Sequence, residues 1–155
     1  MFQRYCLFFT LALGLQAADF PSSWYGTWKM DASKSHYENF PIPKSFTLVI
    51  QKEGENDVLE STGVDPQGNP MNERRTQPHG GGKVEVVPAE PEHFYNVTVA
   101  FPDDHHLVYT YTKNGKITAE QHVTLSADGK SAESRFTVMG KTPDGKADSV
   151  YVVKQ

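Results

Sequence analysis

The sequence predicts an all-β chain folded as a single antiparallel up-and-down β-barrel of roughly eight to ten strands. Two observations carry that prediction. Short runs of alternating apolar and polar residues recur from Phe46 to Val153, separated by Asn-Gly and Asp-Gly turns, and such turns join neighbouring strands antiparallel. No window sustains the 3.6-residue apolar period of a helix, so strands carry the architecture, in a barrel or a sandwich.

Ahead of these runs, residues 1–17 read as a signal peptide and 18–155 as one domain. Arg4 precedes the apolar stretch from Tyr5 to Leu15, and Ala17-Ala18 supply the small residues of a cleavage site. The apolar stretch is about half the ~20 residues that cross a bilayer, and no later stretch is apolar enough to span. The mature chain is expected to be secreted or periplasmic, with no transmembrane segment. The single cysteine, Cys6, lies in the leader, so the mature chain is expected to lack disulfides and to rely on its core and strand ladder. That composition points to a bacterial exported protein. The formal net charge of −4 becomes more negative once Arg4 is removed, which argues against nucleic acid or an anionic membrane as partner.

Taken in order, the first predicted strand is Gly26–Met30. Phe46–Gln51 and Val58–Thr62 flank the acidic turn Glu53-Gly54-Glu55-Asn56, and Asp65-Pro66-Gln67-Gly68 leads into Met71–Thr76. The glycine-rich stretch Gln77-Pro78-His79-Gly80-Gly81-Gly82 reads as a flexible loop. Lys83–Val87 follows, then a link from Pro88 to Glu92 and a long strand His93–Phe101. Asn114-Gly115 joins Leu107–Thr112 to Lys116–Leu125, because both central residues of a type I′ turn need positive φ. Asp128-Gly129 leads into Ala132–Met139, and Asp144-Gly145 into Asp148–Val153.

Alternate residues of a strand face opposite sides of the sheet, so each run proposes its own inner face. Tyr95, Val97, Val99 and Phe101 form one such set, and Leu107, Tyr109 and Tyr111 another. Ile117, Ala119, Gln121, Val123 and Leu125 form a third, and Phe136, Val138, Phe46, Leu48 and Ile50 continue the lining. The interior is therefore aromatic with polar tips. Leaving a buried hydroxyl or amide unpaired costs ~1–3 kcal/mol, so Tyr95, Tyr109, Tyr111 and Gln121 either line a cavity that supplies partners or bond to one another and to solvent at the rim.

The run Met71-Asn72-Glu73-Arg74-Arg75-Thr76 sends one arginine inward in either register, unless it is an edge strand wet on both faces. An inward charge needs a counter-charge or a polar ligand. Arg75 with Glu73 is then an internal ion pair or the anchor of a carboxylate-bearing ligand.

Motifs with a fixed chemistry are missing. The six histidines show neither the helical His-x-x-x-His nor the His-x-His spacing of a metal centre, and His79 beside three glycines lacks convergent ligands. No Gly-x-Ser-x-Gly or Ser-x-x-Lys occurs. Asp103-Asp104 and Glu53/Glu55 fall in turns rather than across a cleft, and Gly80-Gly81-Gly82 lacks the lysine and helix of a phosphate loop. No metal, cofactor or catalytic residue is assigned.

Gly26-Thr27-Trp28-Lys29-Met30-Asp31, with Lys34-Ser35 and Pro43-Lys44-Ser45, resembles the opening of small exported bacterial lipocalin-like proteins, mostly of unknown function. The likeness continues through Gly63-Val64-Asp65-Pro66-Gln67-Gly68, Lys113-Asn114-Gly115-Lys116 and Leu125-Ser126-Ala127-Asp128-Gly129-Lys130. The resemblance implies a lipocalin-like barrel in which Trp28 closes the narrow end. The chain departs from lipocalins proper in ending on a strand, with no C-terminal helix.

The function expected from these readings is a binding protein that holds a small hydrophobic or amphipathic molecule, with Tyr95, Tyr109, Tyr111 and Gln121 lining the cavity and Glu73 and Arg75 at the polar end. An enzyme of hydrolase or isomerase type using the same cavity is the alternative, and a filled barrel acting as an envelope interaction module is the third.

Overall fold

The computed structural model describes residues 20–39, 41–87, 96–140 and 147–155. The expected leader, the link from Pro88 to Glu92, the first residues of the predicted His93 strand including Tyr95, and the Asp144-Gly145 turn lie outside the described residues.

Ten strands, β1 (Gly26–Met30), β2 (Ser45–Glu53), β3 (Asn56–Val64), β4 (Pro70–Pro78), β5 (Gly82–Val87), β6 (Asn96–Asp103), β7 (His106–Lys113), β8 (Lys116–Leu125), β9 (Ser131–Val138) and β10 (Asp148–Lys154), close into one barrel. Every strand pairs antiparallel with its neighbours in sequence, and β1 closes the ring by pairing with both β2 and β10, Trp28 lying opposite Leu48 on one side and Lys154 on the other. Among the described residues no strand is left as the free edge of an open sheet. Barrel diameter grows with strand number, and eight strands already leave an interior just wide enough for side chains or one small ligand. Ten strands leave more room than the side chains of this chain fill.

Local chemistry accounts for the turns. Asn114 and Gly115 both take positive φ, 52° and 74°, as the tight β7–β8 hairpin requires. The predicted alternation fails at one place on the next strand. Between Tyr111 and Thr112 the register shifts, so that Tyr111 faces Ala119 while Thr112 faces Ile117, and Thr118 is the extra residue. Its hydroxyl donates to the Tyr111 carbonyl at 3.1 Å. A bulge of this kind reverses the facing of everything beyond it. Ile117, expected inside, is consequently outside and 51 % exposed.

The second correction concerns Gln77. The loop predicted from Gln77 to Gly82 does not begin there, because β4 stays paired with β3 through Pro78 opposite Asn56. Pro78 ends the strand, where the lost N–H matters little. Gln77 is a fully buried strand residue.

The two ends of the barrel differ. A single 3₁₀ turn, Ser22–Trp24, lies across the end where β1 begins. Trp24 is buried there and donates its indole N–H to the Asp104 carbonyl at 3.0 Å, while Trp28 donates to the Trp24 carbonyl at 2.9 Å. Phe20 packs its ring 5.4 Å from both Tyr25 and Phe101, and Lys154 Nζ reaches the Ser23 carbonyl at 2.8 Å. Indole and phenyl rings thus plug this end. At the opposite end stand Ile42, Met71, Val87, Ile117 and Met139, the exposed large apolar residues among those described.

Candidate functional site

Between the plug and the opposite rim the barrel encloses a cavity of about 480 Å³, within the ~300–1,000 Å³ of small-molecule sites. Most of its wall is apolar, from Phe46, Leu48 and Ile50 on β2 through Val97 on β6 to Phe136 on β9. The alternation that sends Leu48 and Ile50 inward is the one read from the sequence.

One polar cluster interrupts this wall. Of the two candidate arginines, Arg75 faces in and Arg74 faces out, where it pairs with Glu60 and with Glu53. Leu59 sits opposite Arg75 and Ser61 opposite Glu73 on the neighbouring strand, so the inward faces of β3 and β4 coincide. Arg75 Nε donates to Glu73 Oε1 at 2.6 Å and Nη1 to Gln121 Oε1 at 3.2 Å, across the barrel on β8. The same Gln121 oxygen accepts the Tyr111 hydroxyl at 2.7 Å, and Gln121 Nε2 donates to Ser134 Oγ at 2.8 Å. The guanidinium lies over the rings of Tyr109 and Tyr111, at 5.3 and 6.0 Å, the cation–π geometry that supports a desolvated cation.

Five of the six residues predicted to line a site, Glu73 and Arg75 on β4 and Tyr109, Tyr111 and Gln121 on β7 and β8, therefore line the same cavity and meet across it. Tyr95 lies outside the described residues. Burial opposes the charge on Arg75, yet Tyr111, Glu73 and Tyr109 outweigh it and raise its pKa above the ordinary arginine value. Burial likewise pushes the Tyr109 hydroxyl up, only partly offset by Arg75. Arg75 is a permanent cation and Tyr109 a neutral hydrogen-bond donor.

Beside this wall, toward the plug, stands a second polar group that sequence reasoning misses. Tyr109 donates to Gln77 Oε1 at 2.9 Å. Asp57, opposite Gln77 on β3 and fully buried, accepts the Tyr25 hydroxyl at 2.6 Å and shares 2.9 Å with His79 Nδ1. Asp57 Oδ2 and Gln77 Nε2 have no partner among the described residues. Continuing the series Met71, Glu73, Arg75 by two residues reaches Gln77; the proline and glycines that follow disguise it as loop. Asp57 belongs in the same way to the series Asp57, Leu59, Ser61.

His79 also approaches the Gly54 carbonyl with Nε2, at 3.1 Å. With an acceptor at each ring nitrogen, the site favours the protonated imidazole. Its bond to Asp57 raises its pKa, aided by Gly54 and opposed by burial. A raised folded-state value means that the stabilisation is complete below the unfolded pKa of about 6.5 and is lost as pH rises through the folded value. Thermal unfolding followed by circular dichroism should show the wild type losing its advantage over a His79→Gln variant as pH is raised from about 6 to about 9. Parallel curves for the two proteins over that interval would remove the clamp.

The cluster's hydrogen bonds run between the Glu73–Arg75 ion pair, the Gln121 amide and the hydroxyls of Tyr111 and Ser134. Among the described residues no group of three or more His, Cys, Asp or Glu is placed to hold a metal ion, and no helix is long and apolar enough to cross a membrane. In comparison with known proteins, no protein-family model matches this chain and no curated protein matches it.

Proposed function

We propose that this chain is an exported binding protein that holds a small hydrophobic or amphipathic molecule inside its barrel. The observation that carries the reading is the 480 Å³ cavity, mostly apolar and with one hydrogen-bonded polar cluster built around Arg75. A mostly apolar pocket with a few convergent polar groups is the usual form of a small-molecule site. The two ends support the same reading. Aromatic rings fill one end, and the exposed apolar residues gather at the other, where an apolar ligand would approach from solvent. Export is supported by the leader read in residues 1–17, and the lipocalin-like resemblance by the burial of Trp28 beneath the plug. The cavity volume speaks against a filled barrel.

The reading is tested by native mass spectrometry of protein purified from its own export route, with identification of any molecule released on denaturation, and by titration with the uncharged fluorescent probe N-phenyl-1-naphthylamine. A bound small molecule, or saturable one-to-one probe binding, is expected. Val123→Trp, which projects an indole from a cavity-lining position on β8, should abolish probe binding while leaving the far-ultraviolet spectrum unchanged. A bare mass together with no probe binding would overturn the proposal.

A further inference from the structure

We propose that the molecule held in the barrel presents an uncharged hydrogen-bonding head, a hydroxyl or primary amide, to the Arg75 cluster, and not a carboxylate; this rests on the binding reading above. The inference comes from the charge and the hydrogen-bond count of the cavity lining. Arg75 is the cation that a carboxylate would seek, but Glu73 already occupies it at 2.6 Å, two residues away on the same strand and lining the same cavity. The other charged residues of the lining are Lys83 and Asp148, one of each sign. The described wall therefore sums to zero charge. Lys83 is exposed and lies three residues along β5 from Val86, the residue opposite Arg75, so alternation puts it on the other face, and an anion entering at the cluster meets no cation free of a carboxylate. It would have to share Arg75 with Glu73 or displace it, and either outcome leaves an uncompensated negative charge in a low-dielectric interior.

A neutral head meets no such obstacle. Arg75 spends Nε on Glu73 and Nη1 on Gln121, and its Nη2 has no acceptor among the described residues. Glu73 uses Oε1, and its Oε2 has no donor among them. Ser134 accepts from Gln121, and its own hydroxyl proton is not committed to any described residue. The cluster thus offers donors and an acceptor together. A group that both accepts and donates, as a hydroxyl or a primary amide does, satisfies both without altering the charge. Tyr109 and Tyr111 already stack on the guanidinium, so their faces are not available as a cage for a cationic head.

Displacement of N-phenyl-1-naphthylamine by decanamide, decan-1-ol and decanoate, at about pH 7.5 where the acid is ionised, separates the possibilities. Wild-type protein should release the probe to decanamide at a concentration at least about ten-fold below that needed with decanoate. Glu73→Gln makes Arg75 a surplus cation and should move the decanoate-to-decanamide ratio at least about ten-fold toward decanoate. A general preference for less charged amphiphiles would leave that ratio unchanged between the two proteins. Should Glu73→Gln fail to fold, Arg75→Gln must move the ratio in the opposite direction. Wild-type preference for decanoate, or a ratio indifferent to these substitutions, would overturn the proposal while leaving the binding reading intact. Failure of the probe and of all three compounds to bind would overturn both.

Discussion

Replacing Trp28 by alanine should cost about 3–5 kcal/mol of folding stability, the range for removing a fully buried tryptophan. Trp28 is 1 % exposed and sits where β1 closes the ring between β2 and β10. Its indole N–H holds the carbonyl of Trp24, the residue that seals the plugged end, and Lys154 Nζ lies 5.2 Å from the ring on its way to the Ser23 carbonyl. One substitution therefore opens a cavity, frees a buried carbonyl and loosens the attachment of the 3₁₀ turn. The chain has a single cysteine, so no internal disulfide offsets the loss, and domains of this size have only ~5–15 kcal/mol in total. Trp28→Phe should retain most of the apolar burial while losing the hydrogen bond, at a cost of about 1–2 kcal/mol. Urea unfolding followed by circular dichroism measures both. A loss below about 1 kcal/mol for Trp28→Ala would mean that the strand closure does not depend on this ring.

The second large effect belongs to the ion pair in the cavity wall. Arg75→Met leaves the Glu73 carboxylate facing an apolar cavity without its cation, and breaking a buried pair by removing one partner costs ~3–5 kcal/mol. Side-chain exposures of 19 % for Arg75 and 31 % for Glu73 allow some solvation and place the expected loss near the lower end, about 3 kcal/mol. The informative variant is the double one. Adding Glu73→Leu to Arg75→Met removes the stranded charge and supplies apolar contact, and such replacements are often neutral or stabilising. The double variant should therefore be more stable than Arg75→Met alone, a non-additivity that a double-mutant cycle in urea reads directly. Stability losses that simply add would show that the pair does not act as a unit. Arg75→Met also removes the Nη1 bond to Gln121, but that loss is common to the single and the double variant, so the cycle cancels it and reads the coupling between the two charges.

Much of this wall is legible in the chain itself. Alternation alone places Tyr109, Tyr111, Val123 and Leu125 inside, because the pleat of a strand makes facing a matter of counting. Asn114-Gly115 specifies a tight hairpin, and both residues take the positive φ that it requires. The misreadings have equally local causes. Counting misplaces Ile117 because a bulge at Thr118 adds one residue, and no residue type marks a bulge unambiguously. Gln77 and Asp57 escape notice because the proline, glycine and acidic residues beside them resemble turn chemistry. Arg74 and Arg75 are indistinguishable by pattern, since alternation permits either register.

Residue order is enough to set the strand count to within two, the antiparallel succession and the short set of polar residues available to an interior. Those features depend on backbone pleat and turn stereochemistry, which act within a few residues. The remaining features are long-range. Closure of β1 on β10, the choice of Arg75 over Arg74, and the meeting of Arg75 on β4 with Gln121 on β8 bring together groups separated by tens of residues in the chain. They follow from how many strands close the ring and in what register, and only that closure turns scattered polar side chains into a single cluster beside a cavity.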